Sequence, residues 1–324
     1  MPVIKIFSVT FPFFALVLAG YLAARRRFLP LEAISGLNGF VLFFALPCML
    51  YRFGASTPVA QLLDLSVAVT WLLCGLIVVG LTLAVSVRAG IGWNDAAFGA
   101  LVAAFPNSGF MGVPLLVALM GSQAAGPTIL TMAIDMLVVT SLCIALSRLD
   151  DADAHGAAKA LRSALKGVLT NPMPWAILLG ALASVLAFEL PGPVATVVGM
   201  LADAASPVAL FTIGAVLARS QMLAASGHAR APLLRDYLPV ALVKLFLHPL
   251  LLLMVGAALI RVGLPLERSV LTVLVLVAAL PSASNVSLLA ERFGADTGRV
   301  ARIILVSTAA AFLTFSLTVA WLLP

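Results

Sequence analysis

The chain has 324 residues, 63% hydrophobic and only 10% charged, with a formal net charge of +6. A soluble domain is near half apolar and about a quarter charged. The mean hydropathy of +1.16 therefore excludes an ordinary water-soluble enzyme, a disordered chain and a secreted disulfide scaffold.

The apolar residues fall in about ten blocks, at 4–24, 36–53, 66–87, 96–120, 127–147, 172–188, 194–218, 238–260, 269–290 and 302–323. Each is near the ~20 residues that a membrane-spanning helix needs, and they are solid runs rather than the alternating strands of a membrane barrel. Block 1 is followed by Arg25, Arg26 and Arg27. A cleaved signal peptide carries its charge ahead of the apolar stretch, so this order predicts a retained helix. Block 2 carries Pro47 in LFFALPCMLYRFGAS, and block 4 reads DAAFGALVAAFPNSGFMGVPLLVALMG. Block 5 holds Asp135 about eight residues in, ~12 Å deep at 1.5 Å per residue. The linker 148–171 follows, with Asp150, Asp151, Asp153 and His155 read as a solvated acidic turn rather than a metal site. Block 7 contains Asp203 and Pro207, block 8 contains Lys244 and His248, and block 9 reads RSVLTVLVLVAALPSASNVSLLAERFG. The three cysteines, Cys48, Cys74 and Cys143, lie inside apolar blocks and offer neither a disulfide framework nor metal-ligand spacing.

Counting Lys and Arg gives the orientation. The tail and the loops after even-numbered blocks hold four, Lys5, Arg52, Arg261 and Arg268, whereas the loops after odd-numbered blocks hold fourteen. The nineteenth, Lys244, lies within a block. This places both termini outside, and it explains the basic charge without a nucleic-acid partner. The halves correspond: Pro47 with Pro207, Pro106 with Pro281, Gly121 with Gly294. Five blocks per half is odd, so the second half must cross the membrane upside down, the inverted repeat of many secondary transporters. The expected units are 1–147, the cytoplasmic linker 148–171, and 172–324.

Blocks 4 and 9 carry the sharpest signal. Each is interrupted at its middle by a polar, helix-breaking run: Pro106, Asn107, Ser108 and Gly109 in one, Pro281, Ser282, Ala283, Ser284 and Asn285 in the other. Proline removes a backbone donor and clashes with the preceding turn. Irregular backbone at bilayer depth is tolerated only where protein covers it or a cavity adjoins it. Broken ends offer free N–H groups that suit an anion, and Asn107, Ser108, Ser282, Ser284 and Asn285 can hydrogen-bond a carboxylate without adding fixed charge. A charge at a helix centre costs roughly 2.5–3.5 kcal/mol even on the mild insertion scale. Asp135, Asp203, Lys244 and His248 are therefore read as a proton- or ion-coupling relay, with Lys244 and His248 four apart on one helix face.

At these residues the chain is similar to the auxin efflux carrier family, in its bacterial branch of malonate, malate and other organic-acid permeases. The resemblance runs through AISGLNGFVLFFALPCML, FPNSGFMGVPLL, NPMPWAILLG, LADAASPVALFTIGAVL, KLFLHP and AALPSASNVSLLAERFGAD. It implies an all-α membrane fold of ten helices in two inverted five-helix repeats. Helices 4 and 9 would be broken and crossed, as in sodium–proton antiporters and bile acid symporters. It further implies scaffold helices 1, 2, 6 and 7, transport helices 3–5 and 8–10, and alternating access. Substrate contacts fall at Asn107 and Pro281–Asn285, and a homodimer would form through the scaffold. Plant members have a long loop between helices 5 and 6; here it spans only 148–171, which fits the bacterial branch and a cytoplasmic-membrane location.

The expected function is secondary transport of a small organic anion, a mono- or dicarboxylate, with no cofactor and with H+ or Na+ as the candidate coupling ion. A cation exchanger on the same fold, with Asp135 and Asp203 as ligands, is the alternative. An intramembrane aspartyl protease is a third reading, for which the surroundings of the two aspartates provide no paired motif.

Overall fold

The computed structural model describes residues 3–148, 172–225 and 233–323, and among these it is helical throughout, with no strand. The acidic turn at Asp150, Asp151, Asp153 and His155, and linker residues 149–171, lie outside the described residues. Seven helices are long and apolar enough to span a membrane: α1, Val3–Arg25; α2, Ala33–Ser56; α3, Leu65–Arg88; α5, Ser122–Leu146; α7, Gly192–Ala225; α8, Leu234–Arg261; and α10, Thr297–Leu322. Between them lie the interrupted pair α4a, Trp93–Ala104, and α4b, Ser108–Met120; the shorter α6, Pro172–Val185; and the interrupted pair α9a, Arg268–Ala279, and α9b, Val286–Arg292. Large apolar side chains stay exposed along the outer helices, for example Phe43, Leu179, Met254 and Trp321, as a lipid-facing surface requires.

Small residues let helices approach closely where no hydrophobic gain separates helix from lipid. A Cβ at Gly214 on α7 would lie 1.8 Å from the Val17 carbonyl oxygen on α1, and one at Gly20 would lie 1.8 Å from the Phe211 oxygen. Gly54 on α2 and Gly180 on α6 do the same for a second pair, the Gly180 Cβ meeting the Tyr51 oxygen at 2.4 Å. Thus α1 with α7 and α2 with α6 are backbone-to-backbone packings. The second halves of the broken helices both end on glycines with left-handed backbone, Gly121 at φ 88° and Gly294 at φ 69°, where a side chain would strain the stop.

A buried guanidinium ties four other helices together. Arg299 on α10 donates to the carbonyl oxygens of Asp95 (2.6 Å) and Asp236 (2.7 Å), and to Ser86 Oγ (3.3 Å). These partners belong to α4a, α8 and α3. Charge counting treats Arg299 as one more loop cation, whereas it is 3% exposed and serves as an internal clamp.

The packing predicts a graded response to added volume. Gly214→Val should lower the thermal unfolding midpoint in detergent by several degrees, since overpacking costs about 1–3 kcal/mol. Gly80→Ala, at a mid-helix position with nothing within 4 Å, should not lower the midpoint and should raise it slightly, since alanine is the better helix former. Equal midpoints for the two variants would contradict the close α1–α7 contact.

Candidate functional site

The site is built where α4 and α9 break. Phe105, Pro106 and Asn107 leave helical geometry between α4a and α4b, and Leu280 to Ser284 do so between α9a and α9b. The two breaks meet as an isolated antiparallel bridge, Pro106 opposite Ser282. The Asn107 N–H donates to the Pro281 carbonyl at 2.8 Å, and the Ala283 N–H donates to the Phe105 carbonyl at 2.9 Å. Each proline removes one donor from its own helix, and each break receives replacement hydrogen bonds from the other. The Ser282 N–H is satisfied by Ser307 Oγ on α10 (3.2 Å), while the buried Ser282 Oγ makes no hydrogen bond.

The restart of α4 is also explained by proline. Pro114 cannot donate to the Phe110 carbonyl four residues back. That oxygen accepts instead from Ser206 Oγ of α7, at 3.2 Å. The chain opens into a π turn at Ser108–Gly112, and further π turns occur at Val41–Ala45, Asp135–Val139 and Val243–Leu247. Three of the four run to within two residues of a proline, Pro47, Pro114 or Pro249.

Two small cavities flank the bridge, each of about 20 Å³. One is lined by Asn107, Gly109, Phe110, Asn285 and the methionines Met132, Met136 and Met173. The other is lined by Asn38 and Leu42 of α2, Ile213 and Val216 of α7, and Phe110, Ser284 and Asn285. Neither lining includes a charged side chain. Such volumes hold about one water each, well short of a ligand pocket of roughly 300 Å³ or more. Phe110 and Asn285 border both cavities, and α2, α6 and α7 supply the facing walls. Of the sequence candidates, Pro106, Asn107, Ser108, Pro281 and Ser282 are buried in the crossing, with Gly109, Ser284 and Asn285 partly exposed at its edge.

A second group lies against the carbonyl ends of the first half-helices. Lys244 is fully buried; its Nζ donates to the Ala278 carbonyl at 2.8 Å and lies 3.3 Å from His248 Nδ1. Ala278 is in the last turn of α9a, so the ammonium meets the negative end of that helix. The His248 ring is beside the Ala103 carbonyl, in the last turn of α4a, with its Nε2 outside hydrogen-bonding geometry. Trp71 of α3 stacks at a tilt on His248, centroids 5.4 Å apart, and donates its Nε1–H to Asp135 Oδ1 at 2.8 Å. Asp135 Oδ2 is buried without a hydrogen bond, and Trp71 joins Asp135 to the His248–Lys244 pair. Both charges sit in π turns, and Thr140 Oγ1 caps the one at Asp135 by donating to its carbonyl at 2.8 Å. Single π turns inside helices are frequent at functional positions.

Thus Asp135, Lys244 and His248 come together, and Asp203 does not join them. Asp203 pairs with Arg52 at 2.7 Å, with its side chain 71% exposed. Depth counted along a helix ignores the direction a side chain faces, so Asp203 lies near the middle of block 7 yet pairs with Arg52. Trp71, Phe110, Ser206 and the three methionines were not singled out by sequence. Apolar and hydroxyl side chains have no distinguishing signal in a chain this hydrophobic.

The crossed breaks, the lipid-facing surface and the buried charge define a membrane transport protein. Residues 5–319 match the Membrane transport protein family, the auxin efflux carrier family, and the chain belongs to it. It is 29% identical over 310 residues to a protein of Rhizobium meliloti (strain 1021) named "Putative malonate transporter", covering 94% of this chain and 92% of that one. It is 26% identical over 300 residues to the "Uncharacterized transporter YfdV" of Escherichia coli (strain K12), covering 88% of each. It is also 27% identical over 295 residues, 90% of each chain, to an "Uncharacterized transporter" of Methanothermobacter thermautotrophicus.

The buried cluster should behave as a coupled unit. Lys244→Ala strips the Ala278 carbonyl and Asp135 of their cation, at a cost on the order of 3 kcal/mol, read as a lowered unfolding midpoint. Adding Asp135→Asn, which keeps the oxygen that accepts from Trp71, should recover part of that loss. Strictly additive losses would show that Lys244 and Asp135 are independent.

Proposed function

We propose that this protein is a secondary transporter that carries a small organic anion, a mono- or dicarboxylate such as malonate, across the bacterial cytoplasmic membrane by alternating access. The observation that carries the reading is the mutual pairing of the two helix breaks, bordered by neutral amide and hydroxyl groups. Asn107, Asn285 and Ser284 would hydrogen-bond the carboxylate. Of the N–H groups that open α4b, that of Ser108 donates to the Pro106 carbonyl, and those of Gly109 and Phe110 would add partial positive charge. The Rhizobium meliloti relative's name agrees with a dicarboxylate cargo.

In this reading the ten helices form two inverted repeats, 1–147 and 172–324, with both termini outside. Helices α1, α2, α6 and α7 form the scaffold, which two copies would share as a homodimer. Helices α3–α5 and α8–α10 carry the site. The glycine-mediated α1–α7 and α2–α6 contacts support a rigid scaffold, and the small cavities support a moving partner. Separating the breaks from α2, α6 and α7 would enlarge them, and would also break the Ser206–Phe110 hydrogen bond. Asp135, Lys244 and His248 form the relay for a coupling H+ or Na+; Asp203, held by Arg52, is outside it.

A thermal-shift screen against small mono- and dicarboxylates, at two pH values and with and without sodium, tests this reading. Ligand at a hundredfold excess over Kd stabilises the folded state by about 2.7 kcal/mol. Asn107→Ala and Asn285→Ala should weaken the stabilising acid at least tenfold while keeping the unliganded midpoint near that of the parent. Unchanged affinity in both variants would remove the site from the crossing. A response to sodium or pH with no response to any acid would favour the cation exchanger.

A further inference from the structure

A third cavity lies away from the crossing, and neither the substrate nor the coupling relay uses it. It measures about 260 Å³ and is walled by Leu253, Ala257 and Ile260 of α8, Leu271 and Val275 of α9a, and Leu322 of α10. Its rim holds Arg261, the last residue of α8, and Arg268, the first of α9a. Leu271 packs against α8 at Gly256, where an added Cβ would meet its Cδ1, and the small side chain of Ala257 on the next position lines the cleft.

Three observations converge on one occupant. First, both guanidiniums are exposed, and neither makes a hydrogen bond or ion pair among the described residues. The neighbouring carboxylate, Glu267, lines a different cavity with Asp64 and accepts from Ser269 Oγ. Second, these two are half of the four cations that the charge count leaves on this face. Their concentration at one cleft runs against the general bias. Third, the cleft is amphiphilic along the membrane normal. Arg261 ends α8 and Arg268 begins α9a, where the lengths of the apolar spans put the headgroups. Leu253 lies eight residues below Arg261, about 12 Å into the hydrocarbon at 1.5 Å per residue, most of the depth of one ~15 Å leaflet core.

We propose that this cleft binds a glycerophospholipid with an anionic headgroup. The phosphate is held between Arg261 and Arg268, whose planar guanidiniums suit bidentate phosphate contact. One acyl chain lies along Ala257, Leu271 and Val275. A basic rim over an apolar slot between membrane helices is the arrangement that recognises such lipids. The bound lipid would brace α9a, the helix that ends at the Pro281 break, against α8 and α10.

The test is native mass spectrometry of the full chain, purified in detergent and supplied with phosphatidylglycerol or phosphatidylcholine. The parent should retain phosphatidylglycerol at least fivefold over phosphatidylcholine. Arg261→Ala with Arg268→Ala should abolish that preference, and the paired Arg→Lys variant should keep part of it, with thermal midpoints checking that each variant is folded. Ala257→Phe fills the slot with both arginines intact and should also lose the lipid. Equal retention of the two lipids by the parent, or an unchanged preference in the double alanine variant, would overturn the proposal. Displacement by millimolar inorganic phosphate, or full retention in Ala257→Phe, would do the same by showing a free-anion site without a lipid slot.

Discussion

The structure depends on the exchange of two backbone hydrogen bonds between Phe105–Asn107 and Pro281–Ala283. Inside a bilayer no water is available to satisfy a broken helix, and each unmade backbone bond costs several kcal/mol. Pro106 and Pro281 force breaks in two helices, and each break is the partner the other requires. The crossing is therefore a condition of folding. It brings Asn107 and Asn285 to one place and sets the carbonyl ends of α4a and α9a close together. Those carbonyl ends carry partial negative charge, which accounts for Lys244 and His248 against them at full burial. One constraint thus places a neutral, donor-rich surface on one side of the α9 break and, on the other, the Ala278 carbonyl that receives the buried cation Lys244 of α8.

Much of this was legible in the sequence because breakers and charges are rare in so apolar a chain. FPNSGF and LPSASN could be placed at mid-membrane by counting residues, and the four-residue spacing put Lys244 and His248 on one helix face. What could not be read was direction. Asp203 and Asp135 lie at similar depths along their helices, yet one faces Arg52 at the surface and the other Trp71 in the interior. Arg299 looked like a loop cation because its clamp closes on backbone oxygens and a serine far away in the chain, and carbonyls leave no mark in a sequence. The π turns were equally hidden: three of the four lie beside prolines, and at Pro114 the freed carbonyl finds a tertiary partner in Ser206.

The packing divides by how tightly helices touch. Between α1 and α7, and between α2 and α6, glycines bring backbones into contact, leaving little freedom to slide. Around the bridge the facing surfaces are methionine, phenylalanine, leucine and isoleucine with small gaps between them. Methionine adapts its shape readily, which would suit the moving contact that the proposed transport cycle calls for. The hydrogen bond from Ser206 to the Phe110 carbonyl spans this looser boundary, and water entering the boundary could replace it. Rigidity and adaptability are thus assigned to different contacts by residue size alone.

The most direct test of the central claim is a cryo-electron microscopy structure with the most stabilising carboxylate bound. The account predicts anion density within hydrogen-bonding distance of Asn107 and Asn285, beside an intact Pro106–Ser282 bridge, with α2 and α7 drawn away from Phe110. Density for the acid elsewhere, or a crossing that stays sealed while the acid binds, would contradict it.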